Sequence, residues 1–262
     1  MNRIDDKFQQ LKKKDEKALI TFITAGDPDL ETTVELVLAM EKSGADIIEL
    51  GIPYSDPIAD GEVIQASSQR SLSQGSNIEN IMDAVKKIRV SSSQVPVLYL
   101  VYYNCIFKYG IEKFLSQCSE VGIDGLIIPD LPLEERGEIS NYALEQNIHL
   151  IPMVAPTSKE RIGAIIEGGR GFVYCVSVNG VTGVRNNINT DLKEYMETVK
   201  TFSDIPVALG FGISDASMVK KYKEHCDGVI VGSALVKLIA ENQGKEVEIA
   251  TKFVKELKEA AY

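Results

Sequence analysis

The chain has 262 residues, of which 44% are hydrophobic, and it contains no tryptophan. This length can bury one large core, so we expect a single domain over residues 1–262. Its 38 acidic residues outnumber its 28 lysines and arginines, and the resulting net charge of -10 argues against binding to nucleic acid or to an anionic membrane.

The first segment, Met1 to Lys17, is highly charged and carries a helical pattern over Asp5–Lys14. Its charges exclude the apolar core of a signal peptide. No apolar run elsewhere approaches the roughly 20 residues that cross a bilayer. We therefore expect a soluble, cytoplasmic protein.

Short apolar runs then alternate with amphipathic helical patterns to the end of the chain. The predicted strands are Ala18–Ile23, Asp46–Gly51, Val97–Val101, Gly125–Ile128, His149–Met153, Gly171–Cys175, Val207–Gly210 and Gly228–Val231. The helices predicted to follow them are Leu30–Ser43, Ile78–Arg89, Ile111–Val121, Glu134–Gln146, Lys159–Glu167, Leu192–Thr201, Ala216–Tyr222 and Ala234–Ala240. Eight such pairs predict an α/β fold, a (β/α)8 TIM barrel.

Two predicted helices lie outside this count, Asp5–Lys14 at the start and Glu246–Ala260 at the end, and either could cap the barrel floor. An open, doubly wound sheet also alternates strands and helices. That fold usually carries Gly-x-Gly-x-x-Gly after its first strand. The turn from Thr24 to Asp29 lacks this motif, which disfavours a dinucleotide cofactor.

The second and sixth strands are followed by unusually long segments. The first runs from Ile52 to about Gln74, with an extra helical stretch from Glu62, and the second from Ser177 to about Thr190. Long loops at the catalytic face of a barrel commonly close over the site, so both segments are candidate lids. A merely tolerated insertion is the alternative, above all for the Asn-rich part of the second segment.

A pair of carboxylates follows the second strand. Glu49 interrupts the end of an apolar run, where low dielectric should raise its pKa toward neutrality. Asp60 lies among turn residues and should stay ionised. Two carboxyl groups with separated pKa values suit acid/base work and charge stabilisation, respectively. Alternatively, Glu49 could pair with a lysine or reach water, and Asp60 could be a turn or cap residue; for Asp56 we adopt that structural reading.

The loops after the seventh and eighth strands are rich in glycine. They read Gly210-Phe211-Gly212-Ile213 and Gly232-Ser233-Ala234. In barrels of this kind these loops and a helix N-terminus commonly bind phosphate through backbone N–H groups. Gly183 in the sixth loop could add a donor. Such a site needs no lysine or arginine, which suits an acidic chain.

The four cysteines, Cys105, Cys118, Cys175 and Cys226, are too dispersed for a zinc site or a disulfide framework and should be reduced and mostly buried. The two histidines, His149 and His225, have no serine nucleophile motif nearby. We therefore expect no metal site and no Ser/His hydrolase.

These motifs resemble the tryptophan synthase alpha subunit family over nearly the whole chain. The resemblance rests on the stretch from Glu49 to Gly61, on Gly125 to Pro132, on Gly180-Val181-Thr182-Gly183 and on the two late glycine turns. It implies a lyase that splits indole-3-glycerol phosphate into indole and glyceraldehyde 3-phosphate. It also implies an alpha2beta2 assembly with a beta subunit, which would carry pyridoxal phosphate, and no cofactor in this chain.

The resemblance also implies the roles of individual residues. Glu49 would be the acid/base, Asp60 the partner of the indole nitrogen and Tyr174 a supporting hydroxyl. The residues implied to line the indole pocket are Phe22, Leu100, Leu126 and Thr182, and those implied to hold the phosphate are Gly183, Gly212, Gly232 and Ser233. Pro53 and Asp56 would lie at the contact with the beta subunit.

Three positions depart from the family pattern: Glu62 replaces a common proline, Tyr54 a usual phenylalanine, and Val178-Asn179 an arginine with a small residue. Three other functions stay open. They are a free-standing lyase of the same substrate, a non-catalytic subunit that binds a phosphorylated ligand to regulate a partner, and another sugar-phosphate barrel such as an isomerase.

Overall fold

The computed structural model describes residues 2–92, 94–176, 188–210 and 212–261. Its strands are β1 Ala18–Thr24, β2 Ile47–Gly51, β3 Val97–Leu100, β4 Gly125–Ile127, β5 His149–Leu150, β6 Met153–Val154, β7 Val173–Val176, β8 Val207–Gly210 and β9 Gly228–Val231. Its helices are α1 Arg3–Lys14, α2 Leu30–Lys42, α3 Glu62–Ser73, α4 Ile78–Ser91, α5 Tyr103–Tyr109, α6 Ile111–Val121, α7 Gly137–Glu145, α8 Ile162–Ile166, α9 Ile188–Thr201, α10 Ala216–Tyr222, α11 Ser233–Glu241 and α12 Glu246–Ala261.

The strands form one parallel sheet that closes on itself. Their order is β5-β4-β3-β2-β1-β9-β8-β7-β6, so the first and last strands of the chain are neighbours. The two ends of this order, β5 and β6, are halves of one bent strand joined by Ile151 and Pro152. Ile151 donates its backbone N–H to Leu126 at 2.9 Å on one side, and Pro152 accepts from Tyr174 at 2.9 Å on the other. The closed sheet therefore counts as eight strands. The predicted (β/α)8 barrel is confirmed, and the alternative of an open, doubly wound sheet is wrong.

Side chains alternate between the barrel interior and the surrounding helices, as the period of two in a strand requires. On β1, Ala18 and Ile20 point into the interior, whereas Leu19 and Ile23 pack against the helices. Each strand is apolar on both faces because helices cover its outer side. The larger part of the core lies in this layer between the strands and the helices.

Helix α1 closes the floor of the barrel. Its buried residues Ile4, Phe8 and Leu11 pack into the interior cluster together with Phe172 and Ile230. Helix α12 packs instead on the outside, against α2, α10 and α11. Of the two helices that could have capped the floor, the N-terminal one does so.

Some elements differ from their predicted bounds. The predicted strand His149–Met153 is split because Pro152 lacks a backbone donor. The predicted helix Glu134–Gln146 starts later, at Gly137, after a 3-10 turn over Leu133–Glu135. Helix α5 was not predicted, because its seven residues include one buried side chain, Ile106, and so show no helical period. Gly110, with φ 96, separates it from α6. Within the described residues, no helix combines the length and the apolarity that crossing a bilayer requires.

Candidate functional site

A cavity of about 680 Å3 opens at the carboxyl ends of the strands. In (β/α)8 barrels this end carries the active site, because the loops after all eight strands meet there. The cavity is lined by Phe22, Ala59, Asp60, Val63, Ile64, Leu100, Pro129, Met153, Val154, Ala155, Ser158, Tyr174, Val176, Gly210, Gly212, Ile213, Ser214, Ile230, Gly232, Ser233, Ala234 and Lys237. It brings together seven of the residues proposed from the sequence.

Glu49 lies in the barrel interior below this cavity. It sits on β2 between Phe22 of β1 and Leu98 of β3, and its exposed fraction is 0%. Neither carboxylate oxygen has a hydrogen-bond partner among the described residues. Burial without such compensation raises its pKa from 4.5 to about 8. The alternative in which Glu49 pairs with a lysine or reaches water is therefore wrong within the described part of the chain.

Tyr174 lies across the interior from β2 and lines the cavity from β7. Burial raises its pKa well above the usual value, and the charges of Glu49 and Asp60 add to the rise. Its ring needs the glycine at position 210 on the neighbouring strand. A Cβ atom there would lie 2.5 Å from a ring carbon of Tyr174. The structure thus brings Tyr174 close to both carboxylates.

Asp60 is half-buried in the loop between β2 and α3 and lines the same cavity. Burial raises its pKa, and a hydrogen bond from the Tyr102 hydroxyl opposes the rise. The same hydroxyl accepts from the backbone N–H of Ala59 at 3.0 Å. The expectation that Asp60 stays ionised remains a prediction, although partial burial beside the cavity shifts its pKa upward. Asp56, by contrast, is exposed and accepts from its neighbour Ser55.

Helix α3, which follows the Asp60 loop, is fastened to the loop after β1. Thr24 and Ser67 share a hydrogen bond of 2.6 Å between their hydroxyl oxygens, and Ser71 donates to the carbonyl of Ala25 at 2.6 Å. Arg70 adds two bonds to the Asp27 carboxylate at 2.8 and 2.7 Å. Glu62, the departure from the common proline, is simply the first residue of this helix. These contacts fix the base from which the Asp60 loop extends.

Of the three apolar residues predicted to line the indole pocket, two line the cavity and the third, Leu126, does not. Phe22 and Leu100 line the cavity from β1 and β3. Leu126 points out of the barrel, into the layer of helices, and lines a separate cavity of about 340 Å3 there. The inward-facing residue of β4 is Ile127, which packs with Leu100 and Tyr174. A shift of one residue along a strand exchanges its two faces, which explains the error.

The glycine turns after β8 and β9 meet at the same cavity. Gly212, Gly232 and Ser233 all line it. Helix α11 begins at Ser233, so the backbone N–H groups of its first turn have no partner within the helix and carry the positive end of its dipole. The arrangement suits a phosphate group. Thr182 and Gly183, and the departure at Val178-Asn179, lie outside the described residues.

The residues of this region that the sequence pattern missed include Tyr102, Lys237 and Ser214. Tyr102 follows β3 at the same end of the barrel as Glu49, a position that could have flagged it. Lys237 and Ser214 join the cavity only through the fold. Tyr54, the other departure, stacks on Tyr102 with ring centroids 4.9 Å apart, and its hydroxyl accepts from Asn104 at 3.1 Å. The extra hydroxyl thus ties the Asp60 loop to α5.

Three comparisons bear on the identity of this fold and cavity. The model of the family described as tryptophan synthase alpha chain matches residues 8–262. The chain is 61% identical over 261 residues to the tryptophan synthase alpha chain of Thermoanaerobacter sp. (strain X514), covering 99% of both. It is 57% identical to that of Clostridium kluyveri (strain NBRC 12016), again covering 99% of both.

Solved structures agree with the sequence relatives. The tryptophan synthase subunit alpha of Legionella pneumophila superposes with a TM-score of 0.93 at 35% identity, covering 100% of this chain and 98% of that one. A chain of the tryptophan synthase a2b2 complex of Pyrococcus furiosus superposes with a TM-score of 0.86 at 39% identity, covering 92% and 98%. With a matching barrel, a matching family model and relatives of equal length, the chain belongs to the tryptophan synthase alpha chain family.

Proposed function

We propose that this chain cleaves indole-3-glycerol phosphate into indole and glyceraldehyde 3-phosphate, with Glu49 as acid/base and Asp60 as the partner of the indole nitrogen. The observation that carries the proposal is the state of Glu49. It is fully buried at the end of a barrel strand, beside the large cavity, with neither oxygen bonded among the described residues. A pKa of about 8 makes it a carboxylic acid at neutral pH that can give up and regain a proton.

The reaction needs one proton to move from a hydroxyl to a ring carbon. Neutral Glu49 protonates C3 of the indole, which places positive charge on the ring nitrogen, where the Asp60 carboxylate stabilises it. The Glu49 carboxylate then takes the proton of the hydroxyl on the adjacent carbon. The carbon–carbon bond breaks, its electron pair returns to the ring, and the carbonyl of glyceraldehyde 3-phosphate forms.

The remaining residues bind and orient the substrate. Phe22 and Leu100 provide flat and branched apolar walls for the indole ring, and the hydroxyl of Tyr174 lies close to both carboxylates. Gly212, Gly232 and Ser233 offer backbone and hydroxyl donors to the phosphate. Thr182 and Gly183 complete the indole and phosphate contacts in this proposal, which rests there on the family resemblance alone.

No cofactor is assigned to this chain, because two carboxyl groups account for both proton transfers and the charge stabilisation. Within the described residues, no group of three or more His, Cys, Asp or Glu side chains is arranged to hold a metal ion. Pyridoxal phosphate belongs, in this proposal, to the beta subunit. A single domain over residues 1–262 working in the cytoplasm completes the assignment, in keeping with a biosynthetic enzyme.

The proposed partner is a tryptophan synthase beta subunit in an alpha2beta2 assembly. The Pyrococcus furiosus relative is described as part of an a2b2 complex with mutual activation. In this chain the loop that carries Asp60 also carries Pro53, Asp56 and Ile58, and Ile58 is 81% exposed. A partner bound to this loop would order Asp60, so we expect added beta subunit to raise the rate of indole release. An unchanged rate would remove this coupling.

The decisive experiment measures indole release from indole-3-glycerol phosphate by the isolated chain, with and without beta subunit. Glu49→Gln and Asp60→Asn should each lower kcat by orders of magnitude while the fold is kept. Asp83→Asn, which removes an exposed carboxylate of α4 paired with Lys86, is the control and should match the wild type. A wild-type chain that activates a partner but releases no indole would be a regulatory subunit. Full turnover without any complex would indicate a free-standing lyase.

A further inference from the structure

Lys237 lies at the phosphate end of the cavity. It sits on α11 four residues after Ser233 and lines the cavity together with Gly212, Gly232 and Ser233. It is the only lysine or arginine among the described residues that line this cavity. Side chains on a helix lean toward its N-terminus, so a long side chain at position 237 covers the turn that begins at Ser233.

The ion pair that Lys237 forms is weak. Its Nζ lies 3.7 Å from a carboxylate oxygen of Glu241, and the two side chains are 62% and 60% exposed. Exposed pairs of this kind contribute little, and a lysine that precedes its glutamate by four residues is the less favourable order. The ammonium group can therefore turn toward an anion in the cavity at small cost.

The net negative charge of the chain makes a cation at the phosphate site favourable for substrate binding. A phosphate monoester approaching a protein of net charge -10 meets a repulsive field. The backbone donors of the glycine turns act only at contact distance, whereas an ammonium group attracts an anion over roughly 8–10 Å at physiological salt. One lysine at the cavity rim thus supplies a longer-range attraction for the phosphate that neutral donors cannot provide.

We propose that Lys237 is a phosphate-binding residue of this site, whose ammonium group contacts the phosphate monoester of the substrate. This inference rests on the proposed function and corrects the expectation that the phosphate device works without a cation. The contact is remote from the reacting carbons and is the same before and during bond cleavage. It therefore lowers KM without changing kcat.

The test compares Lys237→Gln with Lys193→Gln in the indole release assay. Lys193 is a matched control, because it also precedes a glutamate by four residues at 3.7 Å and is 58% exposed, but on α9. Lys237→Gln should raise KM about three- to tenfold with kcat within twofold, and raise the inhibition constant of inorganic phosphate by a similar factor. Its kcat/KM should also fall less steeply with ionic strength. Lys193→Gln should behave as the wild type, and Lys237→Arg should keep most of the affinity.

The outcomes separate this inference from the function on which it rests. If the wild type releases indole but Lys237→Gln has the KM and phosphate inhibition of Lys193→Gln, the role of Lys237 is overturned and the lyase stands. A loss confined to kcat would also overturn it. If the wild type releases no indole, the proposed function fails, and phosphorus NMR titration of wild type and Lys237→Gln with inorganic phosphate still decides whether Lys237 binds phosphate.

Discussion

At the scale of single residues, Glu49 has opposite effects on stability and on catalysis, because proton transfer requires an ionised form that destabilises the fold. An ionised carboxylate in a barrel interior costs several kcal/mol unless cations or donors surround it. The described neighbours of Glu49 supply neither, so the folded chain stabilises the neutral acid. The residue that can protonate a ring carbon is thus also one that the fold tolerates poorly once it is ionised.

This conflict predicts a pH-dependent gain in stability for Glu49→Gln. The pKa is about 8 in the folded chain and near 4.5 when unfolded, so the wild type loses stability, relative to the variant, as pH rises from about 4.5 to about 8. At pH 7 the difference in the free energy of unfolding should be on the order of 3 kcal/mol. Urea unfolding of both proteins at pH 5, 7 and 8.5 measures it. A difference that is constant across this range would contradict the assigned pKa.

Tyr102 provides a second residue-scale prediction. Its hydroxyl lowers the pKa of Asp60 and also holds the backbone of Ala59. Tyr102→Phe removes both bonds, so kcat should fall roughly tenfold. The acid limb of the pH–rate profile should move to higher pH, because Asp60 must be ionised to act. Tyr103→Phe, which loses only a hydroxyl bonded to the exposed Glu138, is the control. An unmoved acid limb would separate Tyr102 from Asp60.

At the scale of elements, the two faces of each strand have different duties. On β4, Leu126 packs among the helices and Ile127 packs in the interior with Leu100 and Tyr174. Leu126→Ala and Ile127→Ala should each lower the free energy of unfolding by about 2–5 kcal/mol. Only Ile127→Ala should also lower kcat/KM beyond a few-fold, since it loosens two cavity walls. Chemical unfolding and steady-state kinetics on the same preparations test this. Equal kinetic effects would mean that the face of β4 is immaterial to the site.

The sequence was most informative where chemistry breaks a pattern. Glu49 stands out because a carboxylate interrupts an apolar run, and Ser233 because a glycine precedes a helix start. The strand faces could not be read in the same way. Strands covered on both sides are continuously apolar, so nothing in Gly125 to Ile128 marks which side chain points inward. Leu126 was assigned to the wrong face for this reason.

Contacts between residues that are distant in the sequence could not be predicted from the sequence either. The bond between Tyr102 and Asp60 spans two loops, and Lys237 reaches the cavity because α11 starts at its rim. The division of the fifth strand could have been anticipated from Pro152, whose ring removes a ladder donor. The bounds of α6, α10 and β9 were predicted as the structure has them, because glycine, aspartate or a charged turn marks their ends.

At the scale of the whole molecule, the two ends of the barrel have separate tasks. The mouth holds the proposed site, whereas the floor holds α1 and a buried ion pair near the last helix. Lys258 of α12 lies 2.7 Å from Asp46, which also accepts from the backbone of Leu19 at 2.9 Å. The pair therefore joins the end of the chain to the bases of β1 and β2. The prediction of a single domain over residues 1–262 stays a prediction.

Lys258→Met should destabilise the chain without affecting catalysis. The change leaves a buried carboxylate poorly compensated, which typically costs about 3–5 kcal/mol. The free energy of unfolding should fall by that amount, while KM and kcat stay within twofold, because the pair lies at the end opposite the cavity. Asp46→Asn combined with Lys258→Met should recover part of the loss. A double variant no more stable than the sum of its parts predicts would argue against a direct pairing.

Helix α1, which closes the floor of the barrel, is synthesised before all the strands against which it packs. Ile4 and Phe8 leave the ribosome before any strand of the barrel has formed. The hydrophobic cluster in which they are buried, however, includes Ala208 and Ile230. At translation rates of about 5–20 residues per second, Ile230 is added on the order of ten seconds or more after Ile4 and Phe8. During synthesis the apolar face of α1 therefore lacks part of its packing surface until β8 and β9 have been made, and chaperones that bind nascent chains can cover it in the meantime.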